Sequence, residues 1–332
     1  MSATTGDVPA MPLGAAGHAG DVADALVGVA GAAAAGAAVA PSTPSAAGSG
    51  GAAMAPLPSC SSEADELTAG TTREMVMVDG VARSYWLTVP TGYDKATPAP
   101  LLIELHGLGL DGQAMMDPMF SSWGAVTERE SIVHVRPDGI DAAWNVGPCC
   151  TRERTVDDLG FVRAIVERVT SQGCIDRTRV YASGYSMGGG MSHYLGCHAS
   201  DLFAAVAPAA FDLLEENKDA CKPARPITVI SFRGTEDSIV FARPHESTPP
   251  TLLISGYELP PIHFLGPEGT FEFWAQSNGC SGTPNTDADG CRTYESCSEG
   301  VEVTLCLEQG GGHDPPDAER AWRTLQRFTL PQ

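Results

Sequence analysis

From about residue 70 onward, apolar positions fall into short strand-length runs and longer helix-period runs, separated by Gly- and Pro-rich punctuation. Residues 74–78 and 81–89 alternate in the manner of half-buried strands, and Asp79-Gly80 between them is a two-residue hairpin signal. Residues 101–105, 131–135, 179–183 and 227–232 are compact apolar runs that fit buried strands, and 301–305 alternates. Between them, residues 155–170 place Phe161, Val162, Ile165, Val166 and Val169 on one helical face. Asp157 and Asp158 lie in the first turn, where the helix dipole favours negative charge. A last helix is expected over residues 317–328. Antiparallel strands first, then strand–helix alternation, predict a mixed, mostly parallel α/β sheet flanked by helices. Residues 241–269 are proline-rich without clear periodicity. A long irregular segment is expected to be an insertion at the mouth of a site that contributes to a lid, with a surface loop as the alternative.

The chemistry concentrates at Gly184-Tyr185-Ser186-Met187-Gly188. This G-x-S-x-G stretch follows one of the apolar runs and leads into Gly189, Gly190 and a helix-compatible segment, the strand–turn–helix context of a nucleophile elbow. Side chains two residues before and after the serine would collide at such a turn, and both positions are glycine. The following helix aims free N–H groups at whatever the serine attacks. A nucleophilic serine needs a base, and the base needs an orienting acid. Asp237 follows the run 227–232 through Arg233-Gly234-Thr235-Glu236, and His313 follows the run 301–305 through Gly310-Gly311-Gly312. The order Ser, Asp, His is the one this fold uses. Upstream, 101–105 ends in His106-Gly107-Leu108-Gly109, where a second oxyanion donor arises.

With Leu105-His106-Gly107, Trp144-Asn145-Val146-Gly147-Pro148-Cys149-Cys150, Val156-Asp157-Asp158-Leu159-Gly160-Phe161-Val162, the elbow, Arg233-Gly234-Thr235-Glu236-Asp237, Asn278-Gly279-Cys280 and Gly310-Gly311-Gly312-His313, the chain resembles the secreted polyhydroxybutyrate depolymerase and feruloyl esterase family of α/β-hydrolases. The matches run in order over roughly residues 60 to 331. The resemblance implies Ser186 as nucleophile, Asp237 as orienting acid, His313 as base, and the amides of Leu108 and Met187 as oxyanion hole. It implies an ester or polyester substrate, feruloyl or acetyl esters on plant cell-wall polysaccharide or hydroxyalkanoate polyesters, with no metal or cofactor. Two departures stand out. Met187 follows the serine where the family usually has asparagine. Asp314-Pro315-Pro316 follows His313 where the family usually has Trp-Pro-Gly, so an aromatic wall beside the base is missing from that stretch.

Composition divides the chain. Residues 1–59 are dominated by Ala, Gly, Pro and Ser, with no Lys, Arg or aromatic residue, and are expected to form a disordered tether. The alanine-rich core of that stretch lacks the positive flank of a signal peptide and is too weakly apolar to span a membrane. The catalytic domain is then expected over residues 60–332. All ten cysteines fall there, an even count that fits disulfides and an extracellular or periplasmic setting. Zinc is the competing reading, but no C-x2-C spacing occurs. Cys291 and Cys297, six apart, suggest a small stapled loop. A net charge of −21 argues against nucleic acid and anionic membrane as partners.

Several other residues compete for roles. Asp212, after an earlier strand, is the alternative acid, and Glu236 is expected to point away from the site. His106, Trp144 and Asn145 are candidate substrate-binding residues. For His106 the competing role is to brace its loop, and for Trp144 and Asn145 simple packing. His134 and His193 are expected to be structural. Asn285-x-Asp287-x-Asp289-Gly290 has the opening of a calcium loop, but Ser296 stands where the bidentate Glu belongs, which favours a polar turn. A serine ester hydrolase is the first reading. A serine peptidase of the same fold and a non-catalytic binding module are the alternatives.

Overall fold

Asp79 (φ 49°) and Gly80 (φ 81°) both take positive φ, the conformation that a tight turn matched to strand twist requires, and they close the first hairpin. The computed structural model describes Cys60 and residues 65–149, 155–247 and 261–331. The hairpin joins β1 (Gly70–Val78) to β2 (Val81–Val89). There follow β3 (Ala99–Leu105), α1 (Trp123–Arg129), β4 (Val133–Pro137), α2 (Asp158–Gln172), β5 (Ile175–Tyr185), α3 (Met187–His198), β6 (Ala205–Ala209) and β7 (Thr228–Gly234). After them come the short β8 (His245–Ser247) and β9 (Ile262–Phe264), then α4 (Gly266–Ser277), β10 (Asn285–Thr286), β11 (Arg292–Tyr294), β12 (Val303–Glu308) and α5 (Ala318–Leu325).

Ten strands form one sheet in the order β1-β2-β4-β3-β5-β6-β7-β12-β11-β10. The six central strands, β4 to β12 in that order, are parallel, and antiparallel hairpins extend both edges. The chain steps from β3 outward to β4, then crosses back to place β5 on the other side of β3. The order therefore reverses between β3 and β5, and the carboxyl ends of strands at such a reversal frame a crevice. α2, α3 and α4 cover one face of the sheet through Phe161, Ile165, Met191, Leu195, Phe271 and Trp274. α1 and α5 cover the other through Trp123, Val126, Trp322 and Leu325. With both faces buried, β3, β6 and β7 carry no exposed residue.

The expected fold class, an α/β-hydrolase sheet, is the observed one. The helix expected over 155–170 is α2. Its N-cap Asp157 accepts from Gly160 N, and all five apolar residues of the expected face are buried. Residues 241–269 are less irregular than the pattern suggests, since they contribute β8, β9 and the start of α4. The two strands are three residues each, too short for a period to register. Residues 248–260 of that segment, and the tether expected over 1–59, lie outside the described residues.

Among the disulfides of the described residues are Cys60–Cys174, Cys197–Cys221, Cys280–Cys297 and Cys291–Cys306. The staple expected between Cys291 and Cys297 is not formed. Arg292 pairs with Leu305 across the β11–β12 hairpin, so Cys291 faces Cys306 and its bond follows the register. Asp287 Oδ1 accepts from the amides of Asp289 and Cys291, making the calcium-like stretch a hydrogen-bonded turn. No helix among the described residues is long and apolar enough to cross a membrane.

Candidate active site

Ser186 sits between β5 and α3 at φ 55° and ψ −123°, a strained conformation for a residue with a Cβ. Its N–H donates to Ala209 O at 3.0 Å, which pins the turn to the end of β6. A Cβ on Gly184 would come within 2.1 Å of Gly188 O, so that glycine is demanded by the turn itself. A Cβ on Gly188 would instead meet Leu105 O at 2.0 Å. This second glycine is there because α3 starts hard against the end of β3. Gly107, after β3, has its missing Cβ position 3.2 Å from Ser186 Cβ, so the His106-Gly107-Leu108 loop passes directly beside the serine. Among the described residues, neither the Leu108 nor the Met187 N–H donates to a protein acceptor. Both residues line the same cavity as Ser186.

His313 Nε2 lies 2.8 Å from Ser186 Oγ, and its Nδ1 lies 2.8 Å from Asp237 Oδ2. Asp237 follows β7 and His313 follows β12, adjacent parallel strands whose loops lock together. Glu236 N donates to Gly311 O at 2.9 Å, and Gly310 N to Thr235 Oγ1 at 2.8 Å. Asp237 is buried and takes four donors. Oδ1 accepts from the amides of Ile239 and Val240, and Oδ2 from His313 and from Arg233 Nη1. Burial alone would raise its pKa. The bond and charge of His313 and the two backbone amides outweigh it and bring the carboxyl down to about 2. Tyr185, the residue before the serine, donates its hydroxyl to His313 O at 3.0 Å, and its ring centroid is 5.3 Å from the imidazole. The aromatic wall absent from 314–316 is thus supplied from β5.

The remaining candidates sort themselves by contact. Glu236 is exposed and uses only its backbone here. Asp212 does not reach His313. Both its oxygens accept from Arg233, Nε to Oδ1 at 3.0 Å and Nη2 to Oδ2 at 3.1 Å. Burial raises Asp212 to about 6 in spite of that guanidinium. His106, Trp144 and Asn145 do not line the cavity, contrary to the expectation that they bind substrate. His106 is fully buried, with Nδ1 2.8 Å from Gly107 O and Nε2 accepting from Gly139 N. Both ring nitrogens are therefore spent on the loop, and burial lowers its pKa. Trp144 donates to His106 O, and Asn145 bonds Asp158 Oδ2 and Val156 O, tying this loop to the start of α2. His193 and His134 are both buried. His193 Nδ1 accepts from Trp274 Nε1, and His134 Nε2 lies 2.9 Å from Glu104 Oε2.

The cavity over Ser186 measures about 340 Å³ and is walled by Leu108, Leu110, Phe120, Phe211, Val240 and Phe264. β8 and β9 roof it through Ser247, Ile262 and Phe264, and His245 stacks on the Phe264 ring at 4.7 Å. Sequence reasoning missed Phe211, Phe264 and Arg233. The first two carry no motif, but an arginine closing the otherwise apolar run Thr228–Phe232 between two carboxylates was a visible signal.

A serine, an imidazole and a carboxylate aligned on three strand ends beside two unpaired amides define the α/β-hydrolase arrangement, and the chain has that fold. It superposes on an acetyl xylan esterase from Aspergillus awamori with a TM-score of 0.55 at 13% identity, over 77% of this chain and 99% of that one. A thermostable esterase gives 0.50 at 16% identity, over 78% and 63%. In sequence the chain is 40% identical to feruloyl esterase B of Piromyces equi over 250 residues, 73% of this chain. It spans 44% of that relative's length. It is 28% identical to a probable feruloyl esterase C of Aspergillus terreus, over 78% of this chain and 87% of that one. No protein-family model matches. These similarities agree with the feruloyl esterase side of the resemblance read from the motifs.

Proposed function

We propose that the chain is a serine carboxylic ester hydrolase acting on feruloyl or acetyl esters of plant-wall polysaccharide. The observation that carries the reading is the pair of 2.8 Å contacts from His313 to Ser186 and Asp237, opening on an apolar cavity. The substrate class draws on the 40% identity to a feruloyl esterase and on the apolar, aromatic walls. His313 Nε2 takes the proton of Ser186 as Oγ attacks the ester carbonyl, and Asp237 holds the imidazole and stabilises its cation. The amides of Leu108 and Met187 stabilise the oxyanion, an effect of roughly 3 kcal/mol per donor. His313 then returns the proton to the departing alkoxide, the acyl C–O bond to the alcohol breaks, and water activated by the same histidine deacylates Ser186. The disulfides support action in an oxidising, extracellular setting.

The test is a matched panel, p-nitrophenyl acetate and butyrate, methyl ferulate, acetylated xylan and a 3-hydroxybutyrate oligomer, with wild type and Ser186→Ala. Release of ferulate or acetate by wild type and none by the variant is the expected result. Efficient cleavage of the hydroxybutyrate oligomer alone would move the substrate to polyesters. Equal activity in the variant would remove Ser186 from the mechanism, and a phosphonate probe that fails to label wild type would turn the reading toward a binding module.

A further inference from the structure

Beneath His313 lies a second carboxylate that the acyl-transfer scheme does not use. Arg233, at the end of β7, is fully buried and spans two acids. It donates Nη1 to Asp237 Oδ2 at 3.0 Å, Nε and Nη2 to the two oxygens of Asp212, and Nη2 also to Val240 O at 2.7 Å. The oxygen of Asp237 that meets Arg233 is the one that meets His313. Arg233 alone, so close in a dry site, would cancel the charge that Asp237 offers an imidazolium. Asp212 answers that charge with a bidentate pair.

We propose that Arg233 is a positioning residue for Asp237 and that Asp212 is its charge-balancing partner. Together the three side chains present His313 with one net negative charge and a fixed carboxylate. The proposal rests on the triad reading above. Arg233 fixes the loop after β7 from below, through Asp237 and Val240, while the Ile239 and Val240 amides fix it from within. Among the described residues, other titratable groups also face the cluster. His193, from α3, is held neutral, its pKa pushed down to about 3 by burial with the Arg233 charge adding to the effect. Tyr185, from β5, is raised by burial and by the charges of Asp237 and Asp314. Asp314 itself is exposed and accepts from Gly312 N. Asp212 is thus the buried member that takes up a proton in the mildly acidic range, near 6. Protonating it leaves Arg233 and Asp237 to neutralise each other, and His313 then faces no net charge.

The test compares wild type, Asp212→Asn and Asp212→Asn/Arg233→Met on p-nitrophenyl acetate from about pH 4 to about pH 9, with thermal melts at each pH. Asp212→Asn is expected to lower kcat roughly tenfold with KM held, and to move the acid limb of kcat/KM about one unit lower. The double variant removes both charges and should return the limb to its wild-type position. A purely structural Asp212 would lower the melting temperature and scale kcat equally at every pH, and an unmoved limb in a folded Asp212→Asn overturns the proposal. Should the variants not fold, wild type decides. NMR of the His313 ring should report the Asp212 step, and ring signals that do not sense it overturn the coupling. If wild type and Ser186→Ala hydrolyse the ester equally, the triad reading fails, and the charge arrangement is judged on the NMR titration alone.

Discussion

The hydroxyl of Tyr185 donates to the backbone carbonyl of His313 at 3.0 Å, so the residue that precedes the serine in sequence holds the loop that carries the histidine. One strand end therefore sets both members of the Ser186–His313 pair. Tyr185→Phe keeps the ring against the imidazole and removes one neutral hydrogen bond, worth about 1 kcal/mol. The expected outcome is a kcat about fivefold lower with KM little changed, read by steady-state kinetics on p-nitrophenyl butyrate. An equal loss in Tyr185→Leu and Tyr185→Phe would assign the effect to the hydroxyl, and a much larger loss in Tyr185→Leu to the ring.

The acid loop and the histidine loop touch backbone to backbone at Gly234. A Cβ there would lie 2.2 Å from Gly311 O and 2.3 Å from Gly312 O, atoms that cannot swing aside. Gly234→Ala must push the two loops apart, and a displacement near 1 Å at a reacting group costs about 100-fold in rate. Gly310→Ala is the control. Gly310 has φ 76° but open space around its Cβ position, so only backbone strain of about 1 kcal/mol is at stake. Hydrolysis rates and melting temperatures of the two variants, side by side, check the contrast. Similar activity in both would mean that the loops give way without harm.

What the sequence made legible follows from how local each signal is. The Asp79-Gly80 hairpin, the α2 stripe and the glycines around Ser186 are consequences of backbone geometry over a few residues, and they read directly. The order of Ser186, Asp237 and His313 was readable because each follows a strand-like run, although their convergence depends on β5, β7 and β12 lying parallel within one sheet, with β6 between the first two. The cavity walls were not readable. Phe211 and Phe264 meet edge to face at 4.9 Å from segments fifty-three positions apart, and nothing local marks either. His106, Trp144 and Asn145 misled for the opposite reason. They form a conspicuous polar–aromatic set, but His106 and Trp144 brace the loop around Gly107, and Asn145 bonds Asp158 and Val156 at the start of α2. Asp212 looked like an alternative acid because its strand position permits one; the arginine between it and the histidine decides otherwise.

Buried histidines predict an acid-labile fold. Burial lowers His134 to about 4, with the Arg136 charge adding to it and Glu104 opposing, and lowers His193 to about 3. In the unfolded chain each takes up a proton near 6.5, so below that pH the unfolded state binds more protons and stability falls as pH falls. The loss is on the order of 2 kcal/mol per histidine by about pH 5. Asp212 opposes part of it, because a carboxyl raised in the fold binds its proton there first and stability lost above its pKa is regained on acidification. The melting temperature of wild type should therefore drop between about pH 7 and about pH 5, and His193→Gln should drop less steeply. Parallel slopes in the two proteins would exclude His193 as a source.

On the proposed function, Phe264 is expected to set how large an acyl group the cavity favours. It lies in β9, packs edge to face on Phe211 and is backed by the stacked His245 ring. Truncating it opens the roof of a cavity of about 340 Å³ without touching Ser186, His313 or either unpaired amide. An acetyl group is too small to reach such a wall, whereas an aromatic acyl group gains most of its binding from apolar contact, at about 25 cal/mol per Å² buried. Phe264→Ala is therefore expected to raise KM for methyl ferulate about tenfold, to leave p-nitrophenyl acetate within about twofold, and to lower stability by about 3 to 5 kcal/mol. The ratio of kcat/KM for the two esters, measured below the melting temperature of the variant, is the deciding quantity. A fall shared equally by both esters would place the aromatic group elsewhere and leave Phe264 as a structural ring.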